Sequence, residues 1–406
     1  MAEPTVSDDL TGALTQPPLG RTVRAVADRE LGTHLLETRG IHWIHAANGD
    51  PYAAVLRGQS DDPYPEYERL RARGPLSFSP TGSWVVSGHA LAASVLSSPD
   101  FGVSGADGGP VAQQVLSYGE GCPLEHERGL SAARAAAESG DRAVVERVHR
   151  ETLEGLAPDP SAAYAFELVG GFVRPAVTAA TAAVLGVPAD RRAEFGALVE
   201  QLRPLSDSLL APQSLRTVRA ADGALAELTA LLADSDDSPG ALLSALGVSA
   251  AVRLTGNAVL ALLAHPGQWK ELCERPGLAP AAVEETLRYD PPVQLDARVV
   301  RTETELAGRR LPVGAHVVVL TAAAGRDPEV FTDPERFDLA RPDAAAHLAL
   351  HPAGPYGPVA SLVRLQAEVA LRTLADRFPG LRQAGPVLRP RRAPVGRGPL
   401  SVPVSA

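Results

Sequence analysis

Apolar positions recur at helical spacing along most of this chain, with two stretches of alternation between them. Val23, Val26, Leu31 and Leu35 stand at near-helical intervals, so 21–46 reads as helical in places. Asp62-Pro63 offers an N-cap and a first-turn proline, and Gly74 a stop, for a helix over 64–73. Leu76 to Val86 reads as a hairpin with Thr81-Gly82 at its turn. From about 88 to 290 the pattern is mostly helical, broken by Gly/Pro clusters near 102–110, 157–160 and 234–240. Residues 293–320 alternate as strands do, with Gly308 and Gly314 at turns. A proline-rich, loop-like segment runs to 358. A helix over 359–377 then sets Leu362, Leu365, Val369 and Leu374 on one side, and the tail from 384 reads as short strands and loops. There is no internal repeat. The expected class is mainly α with small β-sheets (α+β).

Composition narrows the function. With 406 residues, 45% of them apolar, the chain can bury a large core as one big domain or two smaller ones. A net charge of −10 with no basic face argues against a nucleic-acid partner. No apolar run is read as reaching membrane-spanning length, and the acidic N-terminus lacks the start and core of a signal peptide. The expectation is a cytoplasmic protein with no membrane partner. Residues 1–20, polar and proline-containing, are expected to be disordered. Cys122 and Cys273 form neither a disulfide framework nor a metal spacing. No H-E-x-x-H, Cys/His cluster, phosphate loop or nucleophile elbow is present. The glycines of 105–109 read as a linker.

Several blocks carry a resemblance. Ala281-Ala-Val-Glu-Glu-Thr-Leu-Arg-Tyr-Asp-Pro-Pro292 sets Glu285 and Arg288 three apart on one helix face, where they can pair. Gly325 to Arg341 follows, then His347-Leu-Ala-Leu-His-Pro-Ala-Gly-Pro-Tyr-Gly357 and Leu362-Val-Arg364. In order and spacing these, with Asp62 to Pro75, resemble the cytochrome P-450 family. The resemblance implies a cytochrome P-450 fold over 61–406, preceded by an extension over 1–60 that is partly disordered and holds possible partner-binding helices. It also implies a buried network of Glu285, Arg288 and Arg341.

The family's chemistry is missing from its usual places. Gly357 stands at the position of the haem-ligating cysteine, whose thiolate drives O–O cleavage. Leu350 replaces a Phe, His351 and Ala353 replace glycines, and Pro355 replaces a propionate-binding His or Arg. Ser249 and Ala250 stand where an acid and an alcohol relay protons. His126 aligns with a propionate-gripping His, but Leu130 replaces its Arg partner. Arg298 matches another propionate-binding Arg, or is a surface or sheet-edge arginine. With no haem, no other cofactor, no metal and no catalytic residue expected, the pattern resembles a haem-free subgroup of the family. Its members are auxiliary proteins of antibiotic glycosyltransferases. The resemblance implies a non-catalytic protein that binds, stabilises and activates a TDP-deoxysugar glycosyltransferase of polyketide biosynthesis, as a heterotetramer of two copies each. Ile41, Trp43, Ile44, Tyr52 and Leu56 are the partner-binding candidates; core packing is the competing role for them. Two alternatives stand beside this one. The first is an enzyme using haem through an unusual ligand or reusing the pocket for acid/base work, with His351, Tyr356 and His126 as its residues. The second is an apolar small-molecule carrier.

Overall fold

A computed structural model of the protein describes residues 27–103, 142–156, 164–208, 210–232 and 240–406. The segment 1–20, Val23, Val26, the glycines of 105–109, Cys122, His126 and Leu130 lie outside the described residues.

The described chain opens with a helical hairpin. Helix α1 (Asp28–Ala47) turns back through Gly49 into α2 (Pro51–Arg57). The Asp50 carboxylate caps α2 by accepting from the Ala53 amide at 2.9 Å, and Pro51 pre-sets the first turn. Left-handed Gly58 ends it. Helix α3 (Tyr64–Arg71) starts where Asp62 Oδ1 accepts from the Tyr64 amide at 3.1 Å. Strands β1 (Leu76–Ser79) and β2 (Ser83–Val86) form the expected hairpin, with Gly82 at a φ of +93° in the turn. Helix α4 (His89–Ser97) and β3 (Phe101–Gly102) follow.

The helical body runs through α5 (Arg142–Leu156), β4 (Ala165–Glu167) and a π-turn over Leu168–Val173. It continues with α6 (Arg174–Val184), α7 (Arg192–Gln201), the single turn α8 (Leu205–Ser208) and α9 (Leu215–Leu232). Then come α10 (Gly240–Ala264), α11 (Pro266–Glu274) and α12 (Ala279–Tyr289). Four strands follow: β5 (Leu295–Val300), β6 (Thr304–Leu306), β7 (Arg309–Leu311) and β8 (His316–Leu320). The turn α13 (Thr321–Ala324), helix α14 (Ala360–Arg377), β9 (Arg382–Gln383) and β10 (Pro403–Ser405) complete the chain. The main sheet has the order β1-β2-β8-β5-β3, with β2 and β8 parallel and the other neighbours antiparallel.

Helix α10 is the axis of the core and packs against α14, α12 and α6. It also corrects one expectation. Its segment Ser244–Ala264, 21 residues of mean hydropathy 1.6, is long and apolar enough to cross a membrane. The physical reason is burial: 89% of the apolar window lies inside the protein, and a helix surrounded by neighbours is apolar on every side. Helix α2 belongs to the same core, with Tyr52, Val55 and Leu56 packed beside Tyr64, Tyr67 and Leu70.

Candidate functional site

The charged network on α12 comes first, because it fixes the frame around the loop. Arg288 Nε and Nη2 donate to the two carboxylate oxygens of Glu285 at 2.7 and 2.8 Å. Its remaining protons go to the carbonyls of Gly325, Pro334 and Arg336 at 2.8–2.9 Å. Arg341 Nε and the Asp338 amide both donate to Glu285 Oε1, at 3.1 and 2.8 Å. Glu285 and Arg288 are fully buried, and each charge is met by an opposite charge or a dipole. The network ties α12 to the long connection between β8 and α14.

That connection ends in the loop 347–359. Here the backbone folds in two consecutive tight turns: the Gly354 amide donates to the His351 carbonyl at 2.8 Å, and the Gly357 amide to the Gly354 carbonyl at 3.1 Å. The coil is tight enough that a Cβ on Gly357 would stand 2.2 Å from the Pro352 carbonyl oxygen. Glycine is therefore required at 357 by its own loop. The next residues fold as a 3₁₀ turn, Gly357–Val359, which sets the Val359 side chain 3.5 Å from where a Cβ on Gly247 of α10 would lie. Loop and long helix are thus in near-direct contact.

The strand β5 holds the loop from the other side. Arg298 is 2% exposed and lies in a strand between β8 and β3, which excludes the surface or edge position. Its Nη1 donates to the Ala353 carbonyl at 3.0 Å and its Nη2 to Asp296 at 3.1 Å. Burial pushes the Asp296 carboxyl up, against the charges of Arg298 and His351. His351 is turned onto its own loop, its Nδ1 accepting from the Ala353 amide at 3.3 Å. Burial and the Arg298 charge push its imidazole down, so it is neutral at pH 7. Tyr356 is buried in the core, and burial pushes its phenol up to about 12. The Tyr356 phenol is therefore not poised for proton transfer near neutrality. Ala250 on α10 is fully buried, and the neighbouring Ser249 hydroxyl has no protein partner.

These residues do not fit a thiolate-ligated haem. Residue 357 has no donor and no room for one, and Val359 closes on Gly247 where loop and helix face one another. His347 is committed elsewhere: its Nε2 meets Glu284 at 2.9 Å, and Arg364 Nε meets the same carboxylate at 2.7 Å. Burial alone pushes Glu284 up, but these hydrogen bonds and charges together bring it down to about 2. Among the described residues no group of three or more His, Cys, Asp or Glu is placed to hold a metal ion. One prediction follows directly. Gly357→Cys is expected to lower stability by ~1–3 kcal/mol through overpacking and to give no thiolate-haem spectrum. The checks are a denaturant midpoint and a reduced-CO difference spectrum after growth with haem precursor.

The partner-binding candidates separate into two groups. Trp43 and Ile44 are 45% and 61% exposed on α1, and Ile41 is half-buried beside them. Tyr52 and Leu56 are 0% and 4% exposed, held within the core by α2. This corrects their assignment as surface contacts: a short helix with Pro51 and Gly58 at its ends is pinned flat, and its apolar side faces inward. Leu36, 65% exposed, is a residue that sequence reasoning missed. It stands seven before Trp43 and eight before Ile44, so the three share one face of α1. The opposite side of the same helix, Leu31 and Leu35, packs on Leu215 and Val218 of α9.

Sequence reasoning also passed over Arg253. It is the sole charged residue in the 25 of α10, and it is 8% exposed. A lone charge in an apolar core helix must find partners, and that signal was present in the sequence. Its partners are Ser206 and Asp207 on α8, at 2.9 and 3.2 Å.

Comparison with known proteins places the whole arrangement. The family model for Cytochrome P450 matches residues 265–355. Protein DesVIII of Streptomyces venezuelae is 88% identical over 99% of this chain and 100% of its own length. The Cytochrome P450 family protein EryCII of Saccharopolyspora erythraea is 36% identical over 92% of this chain and 97% of its own. The crystal structure of CalO2 superposes with a TM-score of 0.71 at 29% identity, covering 85% of this chain and 96% of that one.

Proposed function

The chain belongs to the cytochrome P450 family, and we propose that it serves there as a non-catalytic auxiliary protein carrying no haem. It binds, stabilises and activates a TDP-deoxysugar glycosyltransferase in polyketide antibiotic biosynthesis. The observation that carries this reading is position 357. The residue that would ligate iron is a glycine, and its own loop leaves no space for a Cβ. A scaffold kept intact around a site that cannot hold its iron serves through its surface.

Mass action supplies the mechanism. A partner that binds only the folded, competent form of a marginally stable enzyme raises its population by RT ln(1 + [L]/Kd), about 2.7 kcal/mol at a hundredfold excess over Kd. Activation requires only differential affinity for the active conformer. The docking surface we assign is the outward side of α1, where Leu36, Trp43 and Ile44 stand exposed with Ile41 at their flank and open space over Gly40. The two cations nearest that side are both engaged: Arg39 donates to the Pro212 carbonyl at 3.3 Å, and Arg57 is stacked 3.8 Å from the Trp43 ring. Together with the net charge of −10, this favours an apolar protein surface over an anionic lipid surface. The assembly is a heterotetramer of two copies of each protein.

The test is a purification and a pairing. The isolated protein is expected to show no Soret band, including after incubation with hemin. A glycosyltransferase co-expressed with it is expected to co-purify and to gain activity and thermal stability. A protein that binds hemin through one defined site would sink the first half. A transferase equally active and stable without this chain would sink the second.

A further inference from the structure

We propose that Asp207 is the anchor that holds the N-terminal helical hairpin in position on the body of the protein, and so presents the outward side of α1. The inference rests on the reading of α1 as the docking helix only for its consequence; the anchor itself stands on geometry. The Asp207 carboxylate is 4% exposed and accepts three bonds from two directions. Oδ2 meets Arg253 Nη2 of the core helix α10 at 3.2 Å. Oδ1 meets the amides of Val395 and Gly396 at 3.0 and 2.9 Å. The guanidinium is packed closely as well: a Cβ on Gly396 would stand 2.0 Å from Arg253 Nη1, so a side chain there would push the guanidinium out of its place.

Two straps leave this anchor, and both reach the hairpin. Four residues after α8 the chain passes Pro212, whose carbonyl accepts from Arg39 Nη2 of α1 at 3.3 Å. It continues into α9, where Leu215 and Val218 receive Leu31 and Leu35. The other strap is the C-terminal segment. A few residues before Val395, the Arg392 amide donates to the Gly58 carbonyl at 2.7 Å, and Arg391 Nη1 to the Gln59 carbonyl at 2.9 Å. Gln213 Nε2 joins the two straps by donating to the Arg392 carbonyl at 3.5 Å. Core helix, both straps and hairpin are therefore linked through one buried carboxylate. Burial pushes Asp207 up, and the Arg253 charge with the two amides opposes that push.

The straps differ in what depends on them. Helix α2 keeps its own hold through Tyr52, Val55 and Leu56 in the core. Helix α1 has its packing on α2, its small apolar contact with α9, the Asp28–Arg219 ion pair at 2.7 Å and the Arg39 bond, and all but the first run through the strap that leaves Asp207. Loss of the anchor therefore frees α1 and the segment 391–396 before anything else. Amide hydrogen exchange on the full chain reads this directly.

In Asp207→Asn, amides of α1 and of 391–396 are expected to exchange at least ten-fold faster, while those of α14 are unchanged. Arg39→Met severs only the Pro212 strap; it is expected to speed exchange in α1 and leave 391–396 alone, and it serves if Asp207→Asn does not fold. Exchange that rises equally in α14, or that does not rise in α1, overturns the proposal. Capture of the co-expressed glycosyltransferase is measured on the same variants. Loosened α1 with weakened capture supports both readings. Loosened α1 with undiminished capture keeps the anchor and overturns α1 as the docking helix.

Discussion

Arg288→Met is expected to abolish soluble, folded protein or to lower its stability by ~3–5 kcal/mol. Five donors of Arg288 are used, two on Glu285 and three on the carbonyls of Gly325, Pro334 and Arg336. Methionine fills the volume and leaves Glu285 buried, with only Arg341 and the Asp338 amide as partners. The carbonyls of Gly325 and Pro334 lose the Arg288 donor, and that of Arg336 keeps only Arg341 Nη2, at 3.0 Å. With total stabilities of about 5–15 kcal/mol for a domain, such a loss removes a large share of the margin. Arg288→Lys is expected to fare little better, because one ammonium cannot satisfy a forked carboxylate and three separate carbonyls. Soluble yield and urea midpoints of the three proteins check this. A Met variant within ~1 kcal/mol of the parent would mean that the network is not what fastens α12 to 325–341.

The same network shows what was legible in the sequence. A glutamate and an arginine three apart, followed at a set distance by a proline-rich connection, specify a local geometry: one helix face and one chain crossing it. The hairpin turn at Thr81-Gly82 and the strands after 293 are equally local, and they stand where the alternation put them. The fold class follows from such pieces. The faces of α1 were not legible, because that helix is apolar on two opposite sides. Leu31 and Leu35 meet α9, and Leu36, Trp43 and Ile44 meet solvent, yet periodicity gives both rows the same spacing. Which row turns inward depends on α9, some 180 residues later. Tyr52 and Leu56 failed for the same reason from the other direction: their neighbours Tyr67 and Leu70 belong to a different helix. The apolar run of α10 contains one charge, Arg253, and the fold meets it with the buried Asp207 carboxylate. At 357 the resemblance alone sets a glycine against the family's ligand position, while the collision of any Cβ with Pro352 depends on the coil of the loop.

Trp43→Glu combined with Ile44→Glu is expected to weaken capture of the glycosyltransferase by ~10²–10³-fold and to remove most of its activation, with the fold intact. Both side chains are exposed, so their loss costs the isolated protein little; surface changes usually stay within about 0.5 kcal/mol. Trp43 adds one contact of its own, the Arg57 guanidinium stacked 3.8 Å from its ring, worth roughly 0.5–1 kcal/mol at an exposed site. Stability is thus expected to fall by about 2 kcal/mol at most, too little to unfold a domain of ordinary stability. In an interface the balance reverses. A buried tryptophan with an adjacent aliphatic anchor typically carries ~2–4 kcal/mol, and two carboxylates forced into that apolar patch add desolvation to the loss. The control is Leu388→Glu, another exposed large apolar residue, 59% accessible and outside the hairpin. It is expected to leave capture unchanged. Titration of the transferase with each variant, beside a thermal melt of each variant alone, separates the two costs. Equal capture by the double variant and by Leu388→Glu would move the docking surface off α1 altogether, because no other row on that helix offers large exposed apolar side chains.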